Sequence, residues 1–171
     1  MVKINGIELR ALRTETTEDK VSLQLGSFYL EGKKIASFQT EKEGQEGETF
    51  TQLFMMRGYS EDALCAQLEA AGMDLEGLLT RFRWLNEMQK QYNDHKATAS
   101  GVVSLQHEYS TVTMGIPARL AGADEEQVLA ELQHFIEKNE KQYGTCTGYV
   151  MFRSEEDFCQ GEAIPLEALK A

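Results

Sequence analysis

Residues 124–143, DEEQVLAELQHFIEKNEKQY, carry the clearest helical pattern in the chain. Asp124 predicts the N-cap of this helix, and Gln127, three residues later, completes a capping box. Gly144 supplies a residue that can end the helix in a left-handed conformation. Large apolar side chains recur every three or four residues, as in a helix with one buried face: Val128, Leu129, Leu132, Phe135, Ile136 and Tyr143.

Strand-like runs flank this helix on both sides, so we expect it to pack on a sheet. Val103 to Ile116 and Thr145 to Arg153 are rich in the β-branched and aromatic residues that favour strands. In the first run the apolar alternation changes phase near Ser110. A Thr-rich sequence there favours a bulge within one long strand over a turn between two strands.

The first forty residues predict an antiparallel meander. The dipeptides Asn5-Gly6 and Glu31-Gly32 are typical of two-residue turns between strands. Gly26 interrupts the alternation of its strand, so a bulge or twist is expected at that point.

Residues 41–48, EKEGQEGE, have no apolar side chain and predict an acidic surface loop. The following segment, Phe50 to Met56, is dense in large apolar groups. It predicts a short strand, or an extended segment, that enters the core.

Two further helices are predicted in the middle of the chain. Ser60 caps the first, which ends at Gly72, and Asp74 caps the second, which runs to about Tyr92. The order of elements predicts an α+β fold, with an antiparallel or mixed sheet of about six strands covered mainly on one face by three helices. We expect one domain over residues 1–171, with its best internal boundary in the polar connector at residues 94–101.

The chain of 171 residues has a formal net charge of −11. Residues 1–60 hold nine acidic and eight basic side chains, whereas residues 61–171 hold nineteen acidic and nine basic ones. An acidic surface repels phosphate, so direct nucleic-acid binding is not expected. The acidic surface serves solubility, or it docks on a basic partner, or it mimics nucleic acid.

No apolar run approaches the ~20 residues that a membrane helix needs, and the N-terminus has no apolar signal-peptide core. We therefore expect a soluble cytoplasmic protein. The odd number of cysteines, with no CxxC pair, argues against a disulfide framework and for free thiols. A bridge between Cys146 and Cys159 stays open as an alternative.

No catalytic motif is found: a phosphate-binding GxxxxGK[ST], a dinucleotide-binding GxGxxG after a strand, HExxH and GxSxG are all absent. The scattered His and Cys residues predict no metal site, and no cofactor is expected. His107 shares one strand parity with Leu105 and Tyr109. A catalytic interpretation would pair His107 with Cys146 as base and thiol. The alternative is a structural histidine in a hydrogen-bonded niche.

These observations favour a non-enzymatic interaction or accessory module with a protein partner and no membrane attachment. Its contact surface would be either the acidic face or the Phe50–Met56 segment. One alternative is an enzyme or small-ligand binder with a cleft near His107, Tyr109 and Cys146. Another is an acidic nucleic-acid mimic. The oligomeric state is not indicated by the sequence.

Overall fold

The structure is a computed structural model that describes residues 1–18, 21–42 and 49–171. Most of the predicted acidic loop, residues 43–48, lies outside the described residues. The described part contains three α-helices, a mixed six-stranded sheet and a three-stranded sheet, which confirms the α+β class. None of its helices is both long enough and apolar enough to cross a membrane.

The described residues form nine strands, three α-helices and three short 3₁₀ helices. The strands are β1 (Lys3–Ile4), β2 (Ile7–Thr16), β3 (Ser22–Leu30), β4 (Lys33–Lys42), β5 (Thr49–Met55), β6 (Ala99–His107), β7 (Thr111–Pro117), β8 (Cys146–Phe152) and β9 (Cys159–Gln160). The helices are α1 (Glu61–Ala70), α2 (Leu75–His95) and α3 (Glu125–Tyr143). Short 3₁₀ helices occupy Ala118–Leu120, Glu155–Phe158 and Leu166–Leu169.

The chain forms two compact units. The first comprises residues 1–84 and 159–171, and the second comprises residues 85–158. The division falls within α2, whereas the predicted connector at residues 94–101 is shortened to 96–98 because α2 continues to His95 and β6 begins at Ala99. The expectation of a single domain stays a prediction.

The sheet of the first unit has the strand order β5-β4-β3-β2-β1-β9. Neighbours are antiparallel except for β1 and β9, which are parallel and make the sheet mixed. Both predicted turns are present, with φ of 50° and 79° at Asn5 and Gly6, and of 50° and 76° at Glu31 and Gly32. Positive φ at both central residues matches the right-handed twist of the flanking strands. The predicted meander is therefore confirmed.

Gly26 lies where the pairing of β2 with β3 is irregular. The register passes from Arg10 opposite Ser27 to Arg13 opposite Leu25, so two residues of β2 share the place opposite Gly26. A Cβ atom at Gly26 would lie 2.6 Å from Cε1 of Phe38. The expected bulge is present, with its extra residue in β2, and the buried Phe38 ring occupies the space that a side chain at Gly26 would need.

The core of the first unit lies on one face of this sheet. The ring of Phe28 stacks on that of Phe38 at 5.0 Å between centroids and lies 6.3 Å from that of Phe82 on α2. Leu64 and Leu68 of α1 are fully buried. The C-terminal residues pack beside α1, where Ser60 N donates a hydrogen bond to the carbonyl oxygen of Leu169 at 2.9 Å.

In the second unit α3 packs on a sheet with the order β7-β6-β8. The predicted capping box is present: Gln127 N donates to Asp124 Oδ1 at 2.8 Å, and Asp124 N donates to Gln127 Oε1 at 3.0 Å. Helix and sheet share one buried cluster, formed by Val103, Leu105, Ile116, Leu120, Val128 and Leu132. This arrangement confirms that the 124–143 helix lies against the strands that flank it.

The single long strand expected from Val103 to Ile116 was wrong. The chain reverses between β6 and β7, and His107 N donates to the Ser110 carbonyl oxygen at 2.8 Å across the turn. The phase change near Ser110 marks this reversal. It places Ile116 of β7 in the same buried cluster as Val103 and Leu105 of β6. Burial of both apolar sets against α3 outweighs the β-propensity of the turn residues.

Candidate functional site

Strand β5 is the terminal strand of the six-stranded sheet, and we call Thr49–Met56 the β5 edge. Among the described residues β5 pairs with β4 alone, in a regular antiparallel register from Ala36–Met55 to Lys42–Thr49. The backbone N–H and C=O groups on its other side therefore face no described strand. Such a row of groups is a template for pairing with another chain.

The side chains of the β5 edge alternate between solvent and core. Phe50, Phe54 and Met56 are 69%, 48% and 40% exposed, respectively. On the opposite face Leu53 is buried, and the Thr51 hydroxyl lies 2.9 Å from that of Thr40. The expectation that the Phe50–Met56 segment enters the core is thus wrong for its exposed members. The period-2 alternation of a strand turns the two phenylalanines away from the core.

On the outer face of the sheet, a polar row on β4 (Ser37, Gln39 and Glu41) separates Phe50 and Phe54 from the apolar residues of β3. Phe54 pairs with Ser37, which in turn faces Ser27 of β3, and the half-buried Leu23 and Leu25 share the face of Ser27.

A depression of about 230 Å³ opens on this face beside Phe54 and Leu25. Arg13 and Lys34 also line it, and Arg13 forms an exposed ion pair with Glu15 at 2.7 Å. The face therefore combines aromatic and aliphatic groups with charged groups of both signs.

Among the described residues, each of the other sheet ends exposes at most one large apolar side chain, whereas β5 exposes both Phe50 and Phe54. Strand β9 has only two residues, and β7 ends at Pro117. On β8 the exposed Tyr149 hydroxyl donates to Glu125 Oε2 at 3.0 Å, and this hydrogen bond, with the carboxylate charge, raises the pKa of Tyr149. Short strands, proline and charge are common protections of sheet edges. The β5 residues, TFTQLFM, include neither charge nor proline, and the same is true of the β8 residues, CTGYVMF.

His107 occupies a hydrogen-bonded niche in the second unit. It is 6% exposed, and its Nδ1 lies 2.9 Å from the carbonyl oxygen of Gly144. A carbonyl oxygen only accepts, so Nδ1 carries the proton, and in the neutral ring Nε2 is an acceptor. That buried Nε2 has no hydrogen-bond partner among the described residues.

Cys146 faces His107 in the register of β6 and β8, but the two side chains are not hydrogen-bonded to each other. The Cys146 thiol donates to the Gly148 carbonyl oxygen at 3.5 Å, and its backbone N donates to Glu140 Oε1 at 3.0 Å. Tyr109 is 81% exposed in the turn after β6. The structure thus brings the predicted thiol and imidazole to neighbouring positions without forming a nucleophile–base pair.

The remaining candidates from the sequence lie apart from one another. His134 is exposed on α3, beside a depression of about 790 Å³ lined also by Gln127, Glu131 and Glu137. All three cysteines are free: Cys65 and Cys146 are half-buried, and Cys159 is exposed. Within residues 1–18, 21–42 and 49–171, no group of three or more His, Cys, Asp or Glu side chains could hold a metal ion.

The feature that sequence reasoning missed is the exposure of Phe50 and Phe54. The available signal was their spacing, because Phe50, Gln52 and Phe54 share one parity while Thr51 and Leu53 share the other. No family model, curated protein or solved structure matched the chain.

Proposed function

We propose that this chain is a non-enzymatic interaction module that binds an extended segment of a protein partner along the β5 edge. The observation that carries the proposal is a terminal strand that exposes Phe50 and Phe54 to solvent and that, among the described residues, pairs with a strand on one side only. An added strand would hydrogen-bond to the outer backbone groups of β5, while its side chains pack on the two rings. Main-chain bonding supplies affinity in this mode, and the alternate side chains supply specificity.

The two phenylalanines are suited to be the energetic centre of such a contact. Burial of a large apolar side chain is worth about 1.5–3 kcal/mol, and aromatic groups dominate interface energetics. Ordering a partner segment offsets much of that gain, so we expect dissociation constants of about micromolar order.

A cytoplasmic location and the absence of direct nucleic-acid binding belong to the same proposal. The free cysteines support a reducing compartment. The net charge of −11 opposes contact with phosphate. Enzymatic or ligand-binding chemistry near His107, Tyr109 and Cys146, and nucleic-acid mimicry, stay predictions.

The test is a pull-down with the tagged full chain from a native lysate at low and moderate salt. We expect a reproducible partner whose capture falls at least about tenfold in the Phe50→Ser/Phe54→Ser variant, as for truncation of central interface residues. Leu12→Ser is the matched control, because Leu12 is 41% exposed on β2, away from the edge. The proposal is overturned if no partner is captured at either salt and the chain does not self-associate, or if the double variant captures the partner fully.

A further inference from the structure

We infer that the partner at the β5 edge is a second copy of this chain, paired antiparallel through β5 about a twofold axis at Gln52. The inference rests on the proposed function, since it uses the same edge, and it names the occupant. Two six-stranded sheets would then join into one continuous sheet across the axis.

The sequence of β5 is self-complementary in this register. Phe50 and Phe54 lie at equal distances on either side of Gln52. In an antiparallel pair centred there, Phe50 of each copy stands directly opposite Phe54 of the other. Directly opposite residues lie on the same face about 4.5–5.5 Å apart, and aromatic pairs at such positions stabilise pairing. A single strand pairing therefore covers both exposed rings of each copy.

The distribution of charge favours a second copy over a basic partner. β5 carries no charged side chain, and residues 1–60 have a net charge of only −1. The remaining residues carry −10, so a basic partner would be attracted to them, and like-charge repulsion would oppose self-contact there. The β5 residues themselves bring no like charges together in such a pair, whereas residues 41–48, just before β5, carry a net charge of −3.

The size of the contact sets the expected strength. A specific interface commonly buries about 800 Å² per partner, and we expect pairing through one seven-residue strand to bury less than that. We therefore expect a reversible dimer with a dissociation constant in roughly the micromolar range. Its population must rise with protein concentration.

Sedimentation equilibrium of the full chain between about 1 µM and about 1 mM tests the dimer. We expect the mass to rise from one chain to two. Phe50→Glu/Phe54→Glu should weaken the dimer at least about tenfold, because like charges then stand opposite one another. Leu12→Glu adds charge at another exposed apolar position and should leave the dimer unchanged. A monomer throughout, or a dimer unaffected by the double variant, overturns the inference.

The register is tested by a cysteine at the axis. In a Cys159→Ser background, which removes the exposed native thiol, Gln52→Cys should form a disulfide-linked dimer under mild oxidation. Opposite Cα atoms about 4.5–5.5 Å apart are within disulfide reach. Arg57→Cys, five residues from the axis, should not cross-link. A dimer that cross-links equally well through position 57, or not at all through position 52, overturns the twofold register.

Failure of this inference is distinguishable from failure of the proposed function. If the wild-type chain stays monomeric yet captures a different protein through Phe50 and Phe54, the inference of a second copy is wrong and the proposed interaction module is supported. A wild-type chain that neither self-associates nor captures a partner removes both.

Discussion

Glu8 is a buried carboxylate on β2 that two cations hold in its ionised form. It is 6% exposed, and its oxygens lie 2.9 Å from Lys3 Nζ and 2.6 Å from Arg10 Nη2. Burial raises the pKa of Glu8, but the hydrogen bonds and charges of Lys3 and Arg10 together outweigh it, so the pKa lies below its ordinary value. A residue with a lowered folded pKa stabilises the fold only while it is ionised.

Glu8→Gln should therefore destabilise the protein in a pH-dependent way. The contribution of Glu8 is present above its unfolded pKa of about 4.3 and is lost as the pH falls through the lower folded pKa. At about pH 7 we expect a loss of about 1 kcal/mol in the free energy of unfolding, limited because Lys3 and Arg10 are 42% and 43% exposed.

Urea titrations of the wild type and of Glu8→Gln, from about pH 7 down to about pH 3, measure the difference in their free energies of unfolding. The difference should become smaller in acid. The control variant Glu15→Gln, which breaks the exposed pair with Arg13, should lose less free energy of unfolding at neutral pH. An equal loss at both ends of the pH range would show that the ion pairs of Glu8 are not its cause.

At the scale of single elements, local signals specified much of the structure. The capping box of α3 and the turns at Asn5-Gly6 and Glu31-Gly32 involve residues within three positions of one another. Their backbone geometry follows from local sterics and short hydrogen bonds. The reversal at Ser110 was missed because strand propensity carries no information about burial against α3.

Asp124→Ala should destabilise α3 by about 1 kcal/mol, since the amide of Gln127 then loses its side-chain acceptor. Asp124→Asn keeps an acceptor oxygen and should stay within a few tenths of a kcal/mol of the wild type. The free energy of unfolding, followed by far-UV circular dichroism in urea, measures both changes. Equal stability of the Ala and Asn variants would mean that the cap contributes nothing.

At the scale of the whole molecule, charge is the property with the widest consequence. The acidic excess is concentrated in residues 61–171, while the first sixty residues are nearly neutral. Such an imbalance governs association with other macromolecules more than it governs the fold. The proposed contact along β5, whose residues carry no charge, is compatible with this distribution.

The chain should not bind duplex DNA even at low ionic strength. Fluorescence anisotropy of a labelled duplex at about 50 mM and about 200 mM salt should show no change up to about 100 µM protein. A basic DNA-binding protein measured in the same series serves as the positive control. Binding that weakens steeply between the two salt concentrations would contradict the charge argument.

The sequence alone determined the α+β class, the three helices and the antiparallel meander, because periodicity, caps and turn dipeptides act over a few residues. The sequence also contains none of the catalytic motifs that were sought. Tertiary structure decided which strand stands at the end of the sheet, and that His107 bonds to the Gly144 carbonyl rather than to Cys146. The exposure of Phe50 and Phe54 depends on which face of the sheet the core covers, and that is set by contacts between residues far apart in the chain.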